Sequence, residues 1–191
     1  MIYFMRHGQC DKTYTGGYND KRLTEKGTLQ VYASCDFLID NNIRINKIIS
    51  SDIVRAVESG NIIVSQMKKN IGVNDIFRGV DKGEYTGLVK GSKKWSTMQE
   101  MKPKKVNVAY LFGESLLDLY ERVKSNLDYI LSLDNCLVIT HREFINVLYF
   151  ILYDIELNMD KKMFGVGHAS IHQCDGVGIR RIYKPKIRTK L

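Results

Sequence analysis

Two histidines and two arginines follow apolar stretches of this sequence, and together they suit chemistry on a phosphoryl group. The run IYFM leads into Arg6-His7-Gly8, the run CLVIT ends at His141, and Arg55 comes shortly after KIISS. Arginine offers a rigid fork of N–H donors that matches phosphate oxygens, and neutral imidazole is a nucleophile near pH 7. We therefore expect His7 to attack a phosphoryl group, with His141 as a second donor to the transferring oxygens.

Strands and helices alternate along the chain and would place these residues at one edge of a sheet. Helices are predicted after Thr24, after Asp52 as N-cap, and after the capping box of Ser115 and Asp118, whereas residues 79–113 are predicted to be mostly loop. The alternation predicts parallel βαβ units, and two last strands around a DG turn add an antiparallel edge. In such sheets, ligands bind beyond the carboxyl ends of the strands.

Composition favours one globular domain that binds an anionic partner. The 191 residues carry a net charge of +8, and basic residues cluster in the segments 88–112 and 179–191. Neither a secretory signal nor a membrane-spanning stretch is apparent, and the four cysteines lack CxxC spacing, so we expect a cytoplasmic protein with free thiols. The basic C-terminal tail lacks an aromatic platform, so nucleic-acid binding is not expected.

Metal binding is an alternative role for His7 and His141, but no carboxylate or thiolate partner is near them in the sequence, and we expect no metal. The expected partners are a small phosphorylated substrate or inorganic phosphate. The oligomeric state is left open.

Six ordered blocks resemble motifs of the histidine phosphatase superfamily, the phosphoglycerate mutase-like family. They are RHGQCDKT, RLTEKGTLQ, ISSDIVRAVES, GEYTGL, GESLLDLYERV and LVITHREFINVL. The resemblance implies a single domain over residues 1–191, folded as a three-layer α/β/α sandwich with a mainly parallel sheet and an antiparallel edge strand. It also implies that no cofactor is needed.

The resemblance assigns roles to the matched residues. His7 would become phosphohistidine, and Arg6, Arg55 and His141 would form the phosphate pocket. Gly8 would let the backbone approach the phosphate.

The proton donor of that family is missing from its usual position. Four residues before Gly83, where the family has a glutamate, this chain has Gly79. Protonation of the leaving group contributes about 10²–10⁴ in rate. Glu84 and Asp81 are the local candidates to replace the glutamate, and a third possibility is that this loop supplies no acid.

Further departures occur around the expected pocket. Thr13 stands where the family often has a phosphate-contacting Asn, and it can still donate a hydrogen bond. Arg142 replaces a glycine, and it would either bind a second anionic group or pair with Glu143. From its place in the family pattern, His168 is expected near the substrate. Cys10 is either a packing residue or a reactive thiol.

Two functions follow from these observations. The first is a phosphatase that hydrolyses a small phosphorylated metabolite through phospho-His7, with a basic, lid-like insertion at 88–112 that selects the substrate through Trp95, Tyr110 and its lysines. The second is a degenerate family member that binds a phosphorylated ligand with little or no turnover, because the acid position is Gly79.

Overall fold

The sheet has six strands and is mainly parallel. The computed structural model describes residues 1–187. The strands are β1 (Ile2–Arg6), β2 (Lys47–Ser50), β3 (Ile71–Val73), β4 (Cys136–Thr140), β5 (Ile171–Cys174) and β6 (Ile179–Tyr183). Their order is β3-β2-β4-β1-β5-β6. The first four are parallel to one another, and the hairpin of β5 and β6 adds an antiparallel edge beside β1.

Residues 1–187 form six helices around this sheet, and single-turn 3₁₀ helices lie at Asp75–Phe77 and Gly83–Tyr85. The helices are α1 (Glu25–Asp40), α2 (Val54–Met67), α3 (Lys93–Glu100), α4 (Leu116–Ser125), α5 (Leu127–Leu131) and α6 (Arg142–Leu152). No helix within residues 1–187 is long and apolar enough to cross a membrane.

Alternating side chains of the strands separate two cores. In β1, Tyr3 and Met5 join a cluster with residues of α1 and α2, whereas Ile2 and Phe4 join a second cluster with residues of α4 and α6. Successive strand residues point to opposite faces, so a fully apolar strand needs helices on both sides. The expected three-layer α/β/α sandwich is therefore confirmed.

Several local predictions are also confirmed. Thr24 caps α1 by accepting the N–H of Gly27, and the capping box of Ser115 and Asp118 starts α4. The short β3 ends at Val73, just before the 3₁₀ turn at Asp75–Phe77.

One other prediction is wrong. Asp52 does not cap α2: its carboxylate is paired with the guanidinium of Arg78, and Ile53 is the N-cap without a side-chain bond. The segment 79–113 is mostly loop, as predicted, and it also contains the two-turn helix α3, which Ser92 caps.

Candidate active site

His7 lies directly after β1 and presents one nitrogen without a proton. Its Nδ1 is 2.7 Å from the carbonyl oxygen of Gly8, which can only accept, so Nδ1 carries the proton. Nε2 then holds the lone pair and accepts a hydrogen bond from Nε of Arg55 at 3.2 Å. Burial, followed by the charge of Arg55, holds the pKa of His7 well below its usual value. The imidazole is therefore neutral, and the nitrogen that holds its lone pair is Nε2.

Two arginines, the buried Arg55 and the half-buried Arg6, flank this imidazole. Arg55 stands in the first turn of α2, and its Nη2 donates to the carbonyl oxygen of Gly17 at 2.8 Å. Arg6, the last residue of β1, donates to the carbonyl oxygen of Val166 at 3.1 Å. Its Nε is buried, and among the described residues no acceptor lies within hydrogen-bond distance of it. Two fixed guanidinium groups at one sheet edge make a site for an anion.

His141 and His168 complete the ring of groups around His7. His141 ends the β4 segment as the N-cap of α6, and its Nε2 is 2.9 Å from Oγ of Ser51, while its Nδ1 lies 3.5 Å from Nη2 of Arg55. Nε2 of His168 accepts from Arg6 at 2.7 Å. Burial lowers the pKa of His168 to about 3 and that of His141 well below its usual value. All three imidazoles are therefore uncharged at neutral pH.

These groups line an open cavity of about 240 Å³ at the carboxyl ends of β1, β2 and β4. The positively charged side chains that line it are Arg6, Lys12, Arg55, Lys82, Lys90 and Arg142. The carboxylates that line it are those of Asp11 and Glu143. Such an excess of positive charge around neutral histidines suits a small anionic ligand.

Two expected phosphate contacts are not where the sequence placed them. Gly8 does not line the cavity: its N–H donates to Oγ of Ser59, and its carbonyl orients His7. A Cβ at this position would stand 2.5 Å from the carbonyl oxygen of Gly27, so glycine is required by contact with α1. Thr13 is exposed and lies outside the cavity lining, whereas its neighbour Lys12 belongs to that lining.

Comparison with known proteins decides the family. The sequence model of the histidine phosphatase superfamily (branch 1) matches residues 2–178. The chain belongs to the histidine phosphatase superfamily. No curated protein sequence matches it significantly.

Solved structures of histidine phosphatase type share the fold. Mycobacterial glucosyl-3-phosphoglycerate phosphatase in complex with VO3 has a TM-score of 0.76 at 20% identity, covering 94% of this chain and 96% of that one. Bacillus stearothermophilus YhfR has a TM-score of 0.75 at 18% identity, covering 98% and 97%. A mutant phosphoserine phosphatase from Entamoeba histolytica, in complex with phosphoserine, has a TM-score of 0.68 at 16% identity, covering 96% and 95%.

The two acids that the sequence suggested as proton donors lie outside the cavity lining. The carboxylate of Glu84 is partly exposed and pairs with Nζ of Lys94 at 2.8 Å. Asp81 accepts the N–H of Gly83 at 2.9 Å and faces a separate cleft beside Glu114. As the side chains are arranged here, neither carboxylate faces the imidazole of His7.

The loop that carries the vacant acid position is held tightly in place. Arg122 of α4 donates to the carbonyl oxygens of Ile76 and Gly79 at 2.9 and 3.0 Å, and it pairs with Glu114. A Cβ on Gly79 would stand 3.0 Å from Cβ of His141. Gly79 therefore faces the cavity directly, but with little room for a side chain.

Glu143 stands beside this vacancy, and sequence reasoning considered it only as a partner of Arg142. Its Oε2 lies 3.8 Å from the position that a Cβ of Gly79 would take, and its Oε1 lies 3.9 Å from Nζ of Lys82 and 3.4 Å from Nη2 of Arg142. Arg142 lines the cavity while pairing with Glu143, so the pairing is confirmed, whereas binding of a second anionic group stays a prediction. The sequence did contain a signal for the position of Glu143, because this residue lies two positions after His141, in the first turn of α6.

Lys82 is the second cavity residue that sequence reasoning missed. Its side chain is 14% exposed, as is that of Glu143. Burial lowers the pKa of Lys82 to about 8, although Glu143 acts in the opposite direction. The pKa of Glu143 is held well below its usual value because the charges of Lys82 and Arg142 outweigh its burial. The pair is thus an ammonium and a carboxylate at neutral pH.

The structure also locates two other residues, His172 and Cys10. His172 is fully buried, bonded to the hydroxyl of Tyr149 and to Oγ of Ser170. Cys10 is a half-buried free thiol on the cavity wall. Within residues 1–187, no group of three or more His, Cys, Asp and Glu side chains could hold a metal ion.

Most of the insertion does not cover the cavity. Trp95 and Tyr110 pack against the core instead, and Lys90 is the residue of segment 88–112 that lines the cavity. Of the basic C-terminal tail, residues 188–191 lie outside the described part of the chain.

Proposed function

We propose that this protein is a phosphoric monoester hydrolase that works through a phosphohistidine at His7. The observation that carries the proposal is the state of this imidazole: Nδ1 is committed to the carbonyl of Gly8, and Nε2 holds the lone pair, which would become free for attack once Arg55 shifts its hydrogen bond to a phosphoryl oxygen. In the first step, Nε2 forms a bond to phosphorus while the ester P–O bond breaks. In the second, water attacks phosphorus and the P–N bond breaks, which regenerates the imidazole.

The groups around His7 would stabilise the charge of the transferring phosphoryl. The guanidinium groups of Arg55 and Arg6, both of which line the cavity, would hold its oxygens. Nδ1 of His141 can donate to such an oxygen only when the imidazole of His141 takes up a proton. A bound phosphate dianion favours this protonation because its negative charge offsets the positive charge of Arg55.

The substrate that we propose is a small phosphorylated metabolite with a second anionic group. Lys12, Lys90 and Arg142 line the cavity beyond the two arginines that flank His7, and the cavity admits only a small molecule. Solved structures that share this fold include a glucosyl-3-phosphoglycerate phosphatase and a phosphoserine phosphatase, which supports a phosphate monoester.

The test is hydrolysis of p-nitrophenyl phosphate by the wild type and by His7→Ala. We expect turnover by the wild type, a phosphoenzyme that is labile to acid and stable to base, and loss of both in His7→Ala. Equal rates for the two proteins would overturn the proposal.

A second candidate function is binding of a phosphorylated ligand without turnover, which is favoured by the absence of a side chain at Gly79. Vanadate binding combined with no hydrolysis of any phosphate ester would support this candidate over the first.

A further inference from the structure

A phosphatase that cleaves unactivated esters needs a proton for the departing oxygen, and the family position for its donor is empty at Gly79. We propose that Lys82 gives this proton, in place of the missing glutamate, and that Glu143 positions it. The inference rests on the proposed function, since it concerns the leaving group of that same reaction.

Geometry singles out Lys82 among the cavity lysines and acids. Lys12 and Lys90 are exposed, and Asp11 is exposed and accepts the N–H of Thr13 at 2.8 Å. The side chain of Lys82 is mostly buried. Its ammonium pairs with the carboxylate of Glu143, which in turn lies beside the vacancy at Gly79.

The opposite wall of the cavity leaves room for this ammonium. Nζ of Lys82 would lie 3.1 Å from a Cβ placed on Gly16, so the absence of a side chain there makes space for the lysine head. The ammonium therefore lies between Gly16 and Glu143, both of which line the cavity.

The charges around Lys82 suit proton donation near neutral pH. Burial lowers its pKa to about 8; Glu143 of α6 raises it, while Lys161, Arg142 of α6 and Arg55 of α2 lower it further. A donor works best when its pKa is near the working pH. Glu143 is surrounded by cations that keep it ionised, so it has no proton to give in the free protein.

The two steps balance with Lys82 as the only proton carrier. When the ester P–O bond breaks, its electron pair stays on the leaving oxygen, which takes a proton from Nζ and leaves a neutral amine. When water attacks phosphorus, the amine takes the water proton, and the electron pair of the P–N bond returns to Nε2 of His7. The sum is hydrolysis of the ester, with Lys82 again an ammonium.

The experiment is a series of substituted phenyl phosphates whose phenols differ in basicity, assayed with wild type, Lys82→Met and Lys82→Arg. We expect kcat/KM of Lys82→Met to fall about 10²-fold for phenyl phosphate but less than about tenfold for p-nitrophenyl phosphate, because nitrophenolate leaves without a proton. Lys82→Arg should behave like Lys82→Met, since arginine keeps the charge but does not release its proton.

Two further variants make the test specific. Lys104→Met, an exposed lysine of the 88–112 segment, should leave every rate unchanged. The wild type should lose activity on phenyl phosphate above about pH 8, where Lys82 loses its proton. Glu143→Gln removes the negative charge that raises the pKa of Lys82, so this loss of activity should begin at lower pH in the variant.

Three results would overturn the proposal. The first is a loss of kcat/KM in Lys82→Met that is equal for all esters, and the second is recovery of kcat/KM by Lys82→Arg. The third is a loss that depends on the leaving group in Glu143→Gln but not in Lys82→Met, which would make the carboxylate the donor. Failure of the proposed function is recognised separately, because p-nitrophenyl phosphate would then be cleaved equally well by His7→Ala.

Discussion

At the scale of single residues, the chemistry depends on which nitrogen of His7 has the proton. The carbonyl of Gly8 determines this, and Arg55 donates to the other nitrogen while its charge keeps the ring neutral. The sequence predicted a neutral histidine between arginines. It could not predict the tautomer, because that depends on a backbone carbonyl whose direction is set by the turn after β1.

The protonation state of His7 can be measured directly. Because its pKa is held well below 6.5, we expect the ring to stay neutral as the pH falls from 7 to 5.5. Titration of its imidazole by NMR checks this, and in Arg55→Met the midpoint should rise, since a positive charge has been removed. A wild-type midpoint near 6.5 would contradict the proposed state of the nucleophile.

At the scale of elements, the close contact between the loop after β1 and α1 holds His7 in place. A Cβ on Gly27 would lie 2.0 Å from the carbonyl oxygen of Gln9, and a Cβ on Gly8 would meet Gly27. Sequence reasoning explained Gly8 by the approach of phosphate, whereas the structure explains it by the approach of a helix. Both explanations need a glycine, so the motif alone does not separate them.

Gly27→Ala should therefore destabilise the fold. We expect the free energy of unfolding to fall by about 1–3 kcal/mol, because the extra methyl forces the loop away from α1. Gly72→Ala is the matched control: its Cβ would meet nothing closer than 3.9 Å, and the effect should be within about 0.5 kcal/mol. Urea unfolding of both variants checks this, and equal stabilities would show that the contact does not matter.

At the scale of the whole molecule, four histidines are kept neutral by burial. They are His7, His141, His168 and His172, and burial lowers the pKa of the last two to about 3. In the unfolded chain each would have a pKa near 6.5. Below that pH the unfolded chain binds protons that the folded protein does not, so stability must fall as the pH falls.

The size of this effect is large. Between pH 6 and 5, the free energy of unfolding should drop by about 1.2 kcal/mol for each of these histidines that stays neutral in the folded protein. His172→Gln should reduce the slope by about a quarter. Urea unfolding at pH 7, 6 and 5 measures it, in a range where carboxylates stay largely ionised in both states. A free energy of unfolding that does not change over this pH range would contradict the prediction that these histidines stay neutral in the folded protein.

The apolar periodicity and the helix-capping residues of the sequence were enough to predict the alternation of strands and helices and the mainly parallel sheet. They also predicted the sheet edge where Arg6, Arg55 and His141 meet. Those features follow from local patterns and from the rule that parallel strands end together. The tertiary structure alone decided that Glu84 and Asp81 turn away from the cavity and that Lys82 and Glu143 line it beside Gly79. The reason is physical: where a side chain points within an irregular loop depends on distant partners such as Arg122 and α6, and no local pattern encodes those contacts.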